Sequence, residues 1–223
     1  HGVSHALMDL NQWGILNRFL PEFNHLIGQM QHDLFHVYTV DQHTMHVVRN
    51  LRHFTRSEHA HEYPICTSIM QTMSDNWRLI LAALFHDIGK GLGGQHEIRG
   101  AEIMMQFCQR FEIDSSTTEF LTFLVKEHLT MSLVAQKQDL SNPDVIKRFA
   151  KTVGTLERLN ALFLLTVCDI RATSPRVWSQ WKSQLLQQLY WQTLPLIKNE
   201  STITADDFLI ARQKQAKEII INE

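Results

Sequence analysis

Apolar residues recur at helical spacing along almost the whole chain, and no segment keeps the strict alternation that is typical of a β-strand. Helix-start signals agree with this pattern, because Thr39 and Gln42 have the spacing of a capping box and Asn142 stands directly before a proline. The pattern therefore predicts an all-α fold, a helical bundle with helices over residues 41–56, 63–73, 77–88, 97–111, 117–128, 143–153, 155–171, 175–198 and 204–220.

The composition is that of a globular protein. Of the 223 residues, 44% are hydrophobic and 20% are charged, which is enough to bury a core and too apolar for a disordered tail. The net charge of −2 argues against nucleic acid as a partner, and no apolar run is long enough to cross a membrane. Cys66, Cys108 and Cys168 are odd in number and lie among apolar neighbours, which predicts buried, reduced thiols in a cytoplasmic protein.

Three regions follow from the same pattern. Residues 1–24 are predicted to be a lead-in, residues 25–198 the main helical domain, and residues 199–223 a connector helix rich in Lys, Gln and Glu. The chain opens at His1 without an initiator methionine, so we expect it to be a segment of a longer protein.

The chain has 13 histidines, and one of them stands beside an aspartate in an unusual place. His86 and Asp87 end a helix that is apolar on almost every side from Leu79 to Phe85. A carboxylate at the end of a buried helix needs a pairing partner or a bound cation. Adjacent helical side chains point about 100° apart, so both can reach one metal ion only near a helix end. A metal site and a satisfied core histidine beside a capped aspartate both remain open.

A second buried carboxylate favours the metal interpretation. Asp169 lies inside the apolar run from Ala161 to Ile170, and the nearest cation in sequence, Arg171, points to another face. A metal ion is the economical partner for such a carboxylate. An ion pair with Arg49 or Arg148 is the alternative.

The helix over residues 41–56 carries a stripe of histidines. His43, His46 and His53 lie three to seven positions apart and share roughly one face. His43, in the first turn, is the best ligand candidate. His46 and His53 are expected on the polar face, or in contact with the ligand side chains without binding the metal themselves. A stripe of this kind can equally be a solvated face.

The order His43, then His86–Asp87, then Asp169 resembles the motif of the HD-domain metal-dependent phosphohydrolases, an all-α superfamily. Over about residues 25–196 the resemblance is closer, to the HD domain of the bacterial bifunctional uridylyltransferase/uridylyl-removing enzymes. Four strings carry it: HVYTVDQHT (36–44), LAALFHDIGKGLGGQHEIRGAE (81–102), EHLTMSLVAQKQDLSNPDVI (127–146) and LLTVCDIRATSP (164–175).

The resemblance implies a ligand set. Residues 25–198 would form an HD metal-dependent phosphohydrolase domain in which one divalent ion is bound by His43, His86, Asp87 and Asp169. A second ion would be bound by His96 and His128, with Asp87 bridging, although from the residues alone either could be a surface histidine. Mixed histidine and carboxylate ligands suit Mn²⁺ or Mg²⁺, which we expect first, and also Fe²⁺ or Zn²⁺.

Asp87 and Lys90 are the expected catalytic residues. Lys90 lies in the stretch GKGLGG, which holds four of the nine glycines of the chain. Glycines let the backbone approach a phosphate, and a fixed ammonium group can offset charge that develops on phosphoryl oxygens. An ordinary helix C-cap and loop is the alternative.

The resemblance also implies a substrate and partners. The substrate would be the uridylylated tyrosine of the PII signalling protein, and the products would be UMP and unmodified PII, within nitrogen and glutamine sensing. A nucleotidyltransferase domain and ACT domains would belong to the full-length protein. Two other functions stay open: hydrolysis of a free nucleotide such as guanosine tetraphosphate, and a regulatory module without turnover.

Overall fold

The computed structural model describes residues 2–30, 37–174 and 177–198, and within these ranges the chain is helical with no β-strand. The α-helices are α1 (Val3–Gln12), α2 (Leu16–Phe19), α3 (Val40–Phe54), α4 (Pro64–Thr72), α5 (Asn76–Phe85), α6 (His96–Arg110), α7 (Ser115–Glu127), α8 (Thr130–Lys137), α9 (Pro143–Val153), α10 (Leu156–Thr173) and α11 (Gln180–Ile197). Two short 3₁₀ helices cover Pro21–Leu26 and Ser57–His59. The prediction of an all-α bundle is confirmed.

Several predicted helix boundaries need correction. The helix predicted to begin at residue 175 begins at Gln180, because the Ser179 side chain accepts a hydrogen bond from the backbone N–H of Lys182. Asn142 caps α9 as predicted, accepting from the backbone N–H of Asp144. Thr39 is the N-cap of α3, but its side chain makes no capping hydrogen bond. The predicted helix over 204–220 and the connector over 199–223 lie outside the described residues.

α10 forms the centre of the bundle. It is apolar around most of its circumference and contacts α3, α4, α5, α7, α8, α9 and α11. Leu79 and Phe85 of α5 are also fully buried, as their position in an apolar run predicts. Two buried helices therefore carry the HD pair and Asp169 into one core.

The N-terminal residues share this core. Leu16 and Phe23 are buried within the same hydrophobic cluster as α5 and α10. The boundary between a lead-in and the main domain at residue 24 stays a prediction. In the described part of the chain, no helix combines the length and the apolarity needed to span a bilayer. Cys66, Cys108 and Cys168 are buried free thiols, as predicted.

Candidate metal centre

The end of α5 positions the HD pair. α5 ends at Phe85, three residues before the predicted end, and a tight turn follows in which the Ile88 N–H donates to the Phe85 carbonyl. His86 Nδ1 donates to the Ala83 carbonyl at 2.8 Å, which turns Nε2 toward the interior. Histidine ligands are commonly oriented by such a hydrogen bond from the second ring nitrogen. In this turn His86 Nε2 and Asp87 Oδ2 lie 3.2 Å apart, so the two side chains reach the same point.

The first predicted ligand group comes together around His43, on α3. His43 Nε2 lies 2.9 Å from Asp169 Oδ1 and 3.3 Å from His86 Nε2. Asp87 Oδ2 lies 3.2 Å from His86 Nε2 and 3.6 Å from His43 Nε2. Asp169 therefore pairs with histidines within the described residues, and an ion pair with Arg49 or Arg148 is not what the structure shows.

The second predicted group shares Asp87 with the first. Its other oxygen, Oδ1, lies 3.4 Å from His96 Nε2 and 3.6 Å from His128 Nε2, and these two nitrogens are 3.3 Å apart. His128 Nδ1 donates to the Val125 carbonyl at 2.7 Å, in the same arrangement as His86. His128 is buried and His96 partly so, so the interpretation of His128 as a surface histidine is wrong.

The charges in the centre are strongly coupled. Burial disfavours the ionised carboxylates, but hydrogen bonds from the neighbouring histidines and the charges of His86 and Lys90 outweigh it, and the pKa values of Asp87 and Asp169 lie well below the usual aspartate value. Burial would lower the pKa of His86, but Asp87 and Asp169 overcome this and raise that pKa to about 10. The buried Asp87 carboxylate and the mostly buried Asp169 carboxylate, whose side chain is 19% exposed, thus favour positive charge at this point, which a proton or a divalent cation can supply.

The ligand atoms fit a metal ion. Bonds of about 2.1 Å in a tetrahedral or octahedral shell put neighbouring ligand atoms about 3.0–3.4 Å apart. The separations around His43 run from 2.9 Å to 3.7 Å, and those around His128 from 3.3 Å to 3.6 Å. Both groups, His43 with His86 and Asp169 and Asp87 with His96 and His128, therefore have the spacing and the donor types of metal sites.

Lys90 and the glycine-rich stretch lie beside Asp87. Lys90 Nζ is 2.6 Å from Asp87 Oδ2, and the side chain is largely buried. Gly89 packs directly on the start of α6, where a Cβ atom would lie 2.2 Å from the His96 carbonyl oxygen. This close approach brings His96 toward Asp87. The stretch is therefore more than a helix C-cap, because Gly89 packs against the start of α6, which carries His96, and Lys90 contacts Asp87.

His25 contacts the site, although no sequence pattern predicts it. His25 Nε2 donates to the buried carbonyl of Ile88 at 2.9 Å, directly after the HD pair. The side-chain amide nitrogen of Gln29 donates to the His25 carbonyl, and its oxygen accepts from the Gly91 N–H. The 3₁₀ helix that holds His25 has no periodicity that points to such a role.

Of the other histidines on α3, His46 does not join the centre. Its ring stacks on Tyr38, with 4.5 Å between ring centroids, and Arg49 lies 3.1 Å from its Nδ1. Burial and the nearby Arg49 guanidinium lower the pKa of His46. This agrees with the expectation of a place outside the ligand set.

Comparisons with known proteins agree on this region. The profile of the HD domain family matches residues 40–161. The bifunctional uridylyltransferase/uridylyl-removing enzyme of Ralstonia nicotianae is 52% identical over 201 residues, which are 90% of this chain and 23% of that protein. The enzyme of the same name from Burkholderia thailandensis is 50% identical over 215 residues, 96% of this chain and 25% of that protein. The chain thus spans about a quarter of the length of these relatives.

Proposed function

The chain belongs to the HD domain family, whose members are metal-dependent, and on that basis we propose that it is a uridylyl-removing phosphodiesterase. Its substrate is the UMP–tyrosine bond of uridylylated PII signalling protein, and its products are UMP and unmodified PII. The names of the relatives, which include uridylyl-removing activity, support this substrate over a free nucleotide such as guanosine tetraphosphate.

The observation that carries the proposal is the position of Asp87 between two histidine groups. One oxygen faces His43 and His86, and the other faces His96 and His128. A carboxylate shared in this way is suited to bridge two cations. Four side chains of the centre, those of His43, His86, Asp87 and His128, are almost fully buried, and such polar groups are costly to keep in a module without turnover.

We assign the ligands as the sequence predicts. His43, His86, Asp87 and Asp169 would hold one ion, and Asp87, His96 and His128 a second. Mn²⁺ or Mg²⁺ is expected first, with Fe²⁺ or Zn²⁺ as alternatives. When bound, such ions lower the pKa of a water molecule and polarise phosphoryl oxygens.

The residues of the chain then have separate tasks. The carbonyl groups of Ala83 and Val125 fix the rings of His86 and His128, so that their Nε2 atoms face the centre. Lys90 supplies a fixed ammonium group beside Asp87, suited to offset negative charge on the phosphoryl oxygens. The reaction breaks the phosphorus–oxygen bond to tyrosine, adds hydroxyl from water to UMP, and returns a proton to the tyrosine oxygen.

The partners follow from the same proposal. We place this chain within a longer cytoplasmic enzyme whose nucleotidyltransferase and ACT domains lie in other parts of the sequence. PII is its macromolecular substrate within nitrogen and glutamine sensing, and neither nucleic acid nor a membrane is a partner.

The test is release of UMP from uridylylated PII by the chain supplied with Mn²⁺. We expect release by the wild type, loss on chelation with EDTA, and loss in the Asp87→Ala variant. Asp144→Ala serves as the matched control, because Asp144 is an exposed aspartate on α9. Turnover of guanosine tetraphosphate with none of uridylylated PII would favour the free-nucleotide alternative. Undiminished UMP release by Asp87→Ala would refute the site assignment.

A further inference from the structure

A third group of metal-ligating side chains lies away from the HD centre. His53 is in the last turn of α3, about 15 Å along the helix axis from His43 at 1.5 Å per residue. His59 ends the 3₁₀ helix Ser57–His59, and Glu62 precedes α4. His53 Nε2 lies 3.3 Å and His59 Nδ1 lies 3.2 Å from the same oxygen, Glu62 Oε1. Three segments thus direct three ligand atoms toward one point.

The spacing again suits a cation. Zinc bonds of about 2.0–2.1 Å in a tetrahedral site put ligand atoms about 3.3 Å apart, which matches both measured separations. The two imidazole rings stack with centroids 3.9 Å apart and planes 22° apart. The rings therefore lie one over the other, and each has one nitrogen within 3.3 Å of Glu62 Oε1.

A simple hydrogen-bonded cluster explains this arrangement less well. His53 Nε2 is shielded from solvent, yet among the described residues it has no hydrogen-bond partner, because Glu62 Oε1 is near but poorly aligned. A metal ion needs only the lone pair of that nitrogen and no hydrogen on it. The ring edge of His53 is thus suited to coordination although it is not engaged in a hydrogen bond.

We propose that His53, His59 and Glu62 form a metal site, separate from the HD centre, for a zinc-type ion that binds imidazole and carboxylate. The three side chains are each about a third exposed, so the ion enters from solvent and keeps an open coordination position. Glu58 Oε1 lies 3.5 Å from the other nitrogen of the His59 ring, Nε2, and is not part of this group. The site would fasten the connection between α3 and α4 to the end of α3.

Zn²⁺ alone is the probe for this site. Equilibrium dialysis of the whole chain would compare the wild type with His59→Ala and with Glu62→Gln, which keeps the shape of the side chain and removes its charge. His61→Ala is the matched control, since His61 is an exposed histidine of the same connection outside the cluster. We expect the wild type and His61→Ala to bind about one equivalent of Zn²⁺ more than either cluster variant.

Hydrogen exchange gives a second measurement. Zn²⁺ should slow amide exchange in residues 55–63 of the wild type and of His61→Ala, but not of His59→Ala. UMP release should be unchanged in His59→Ala, because the residue lies outside the HD centre.

Equal zinc stoichiometry in the wild type and in His59→Ala would overturn the proposal. A loss of the same size in His61→Ala would also overturn it, by indicating adsorption to surface histidines. If the Glu62→Gln variant retains the ion, the Glu62 carboxylate is not a ligand, and the three-ligand arrangement is refuted.

Discussion

Replacement of Gly89 by alanine should separate the two ligand groups of the HD centre. A Cβ atom at this position would lie 2.2 Å from the His96 carbonyl oxygen and 2.7 Å from the Gly100 backbone nitrogen. Both obstacles are backbone atoms of α6, so no side-chain rotation can relieve them. The start of α6 must therefore move away from residue 89.

The size of the movement sets the expected effect. Cβ contacts below 3.0 Å are essentially absent from real structures, so the shift is at least about 0.8 Å. His96 is the first residue of α6 and moves with it, away from Asp87. A displacement of about 1 Å at a catalytic centre can reduce turnover about 100-fold. We expect a loss of that order in UMP release and weaker binding of Mn²⁺.

The assay is steady-state UMP release from uridylylated PII, with a thermal melt to verify folding. Gly94→Ala is the control within the same loop. A Cβ there meets no heavy atom within 4 Å, although its φ of +72° makes alanine strained. We expect some loss of thermal stability and near wild-type turnover for Gly94→Ala. Wild-type turnover of Gly89→Ala would refute the close packing of this glycine on α6, and equal losses in both variants would attribute the effect to loop strain.

Three further predictions concern charge, positioning and pH. Asp87→Asn removes the anion that both ligand groups share, so it should reduce UMP release at least about 1000-fold and lower the metal content found by elemental analysis. An unchanged metal content would contradict the role of Asp87 as a shared ligand. His25→Ala leaves the Ile88 carbonyl without its hydrogen bond and should reduce UMP release or Mn²⁺ affinity about 10- to 100-fold, the usual range for residues that orient a metal site from outside the ligand set. Unchanged UMP release and unchanged Mn²⁺ affinity would exclude a positioning role for His25. For the EDTA-treated chain, the pKa of His86 is raised from 6.5 to about 10, so its stabilising contribution is complete below pH 6.5 and is lost as the pH rises through 10. The melting temperature should fall over that range, and a melting temperature that rises instead would contradict the charge coupling.

The part of the centre that depends on local pattern could be predicted from the sequence. The apolar run from Leu79 to Phe85 identifies a buried helix, and a buried helix makes His86, Asp87 and Asp169 conspicuous because their desolvation needs compensation. The structure brings these residues together, while their binding of metal ions stays a prediction. In each case the signal, a charged or polar residue within an apolar helical run, lies within a single segment of the sequence.

The part that depends on contacts between segments could not be predicted. Helix periodicity does not show that a missing Cβ at Gly89 lets α6 approach, or that His25 reaches the Ile88 carbonyl from a 3₁₀ helix. α8 (Thr130–Lys137) was not among the predicted helices, since eight residues are too few for a periodic pattern to be distinctive. The cluster of His53, His59 and Glu62 was missed for a related reason, because two of its members lie outside regular α-helix.

The ligands of the HD centre come from segments that are far apart in sequence. His43 near the start of α3 and Asp169 near the end of α10 are separated by more than half of the chain, yet they meet at 2.9 Å. A cation held between them would act as a reversible cross-link that only the fully assembled bundle can close. By mass action, an ion at 1000 times its dissociation constant would add about 4 kcal/mol to the free energy of unfolding. The supply of metal would then govern how long this domain survives proteolysis as well as how fast it works.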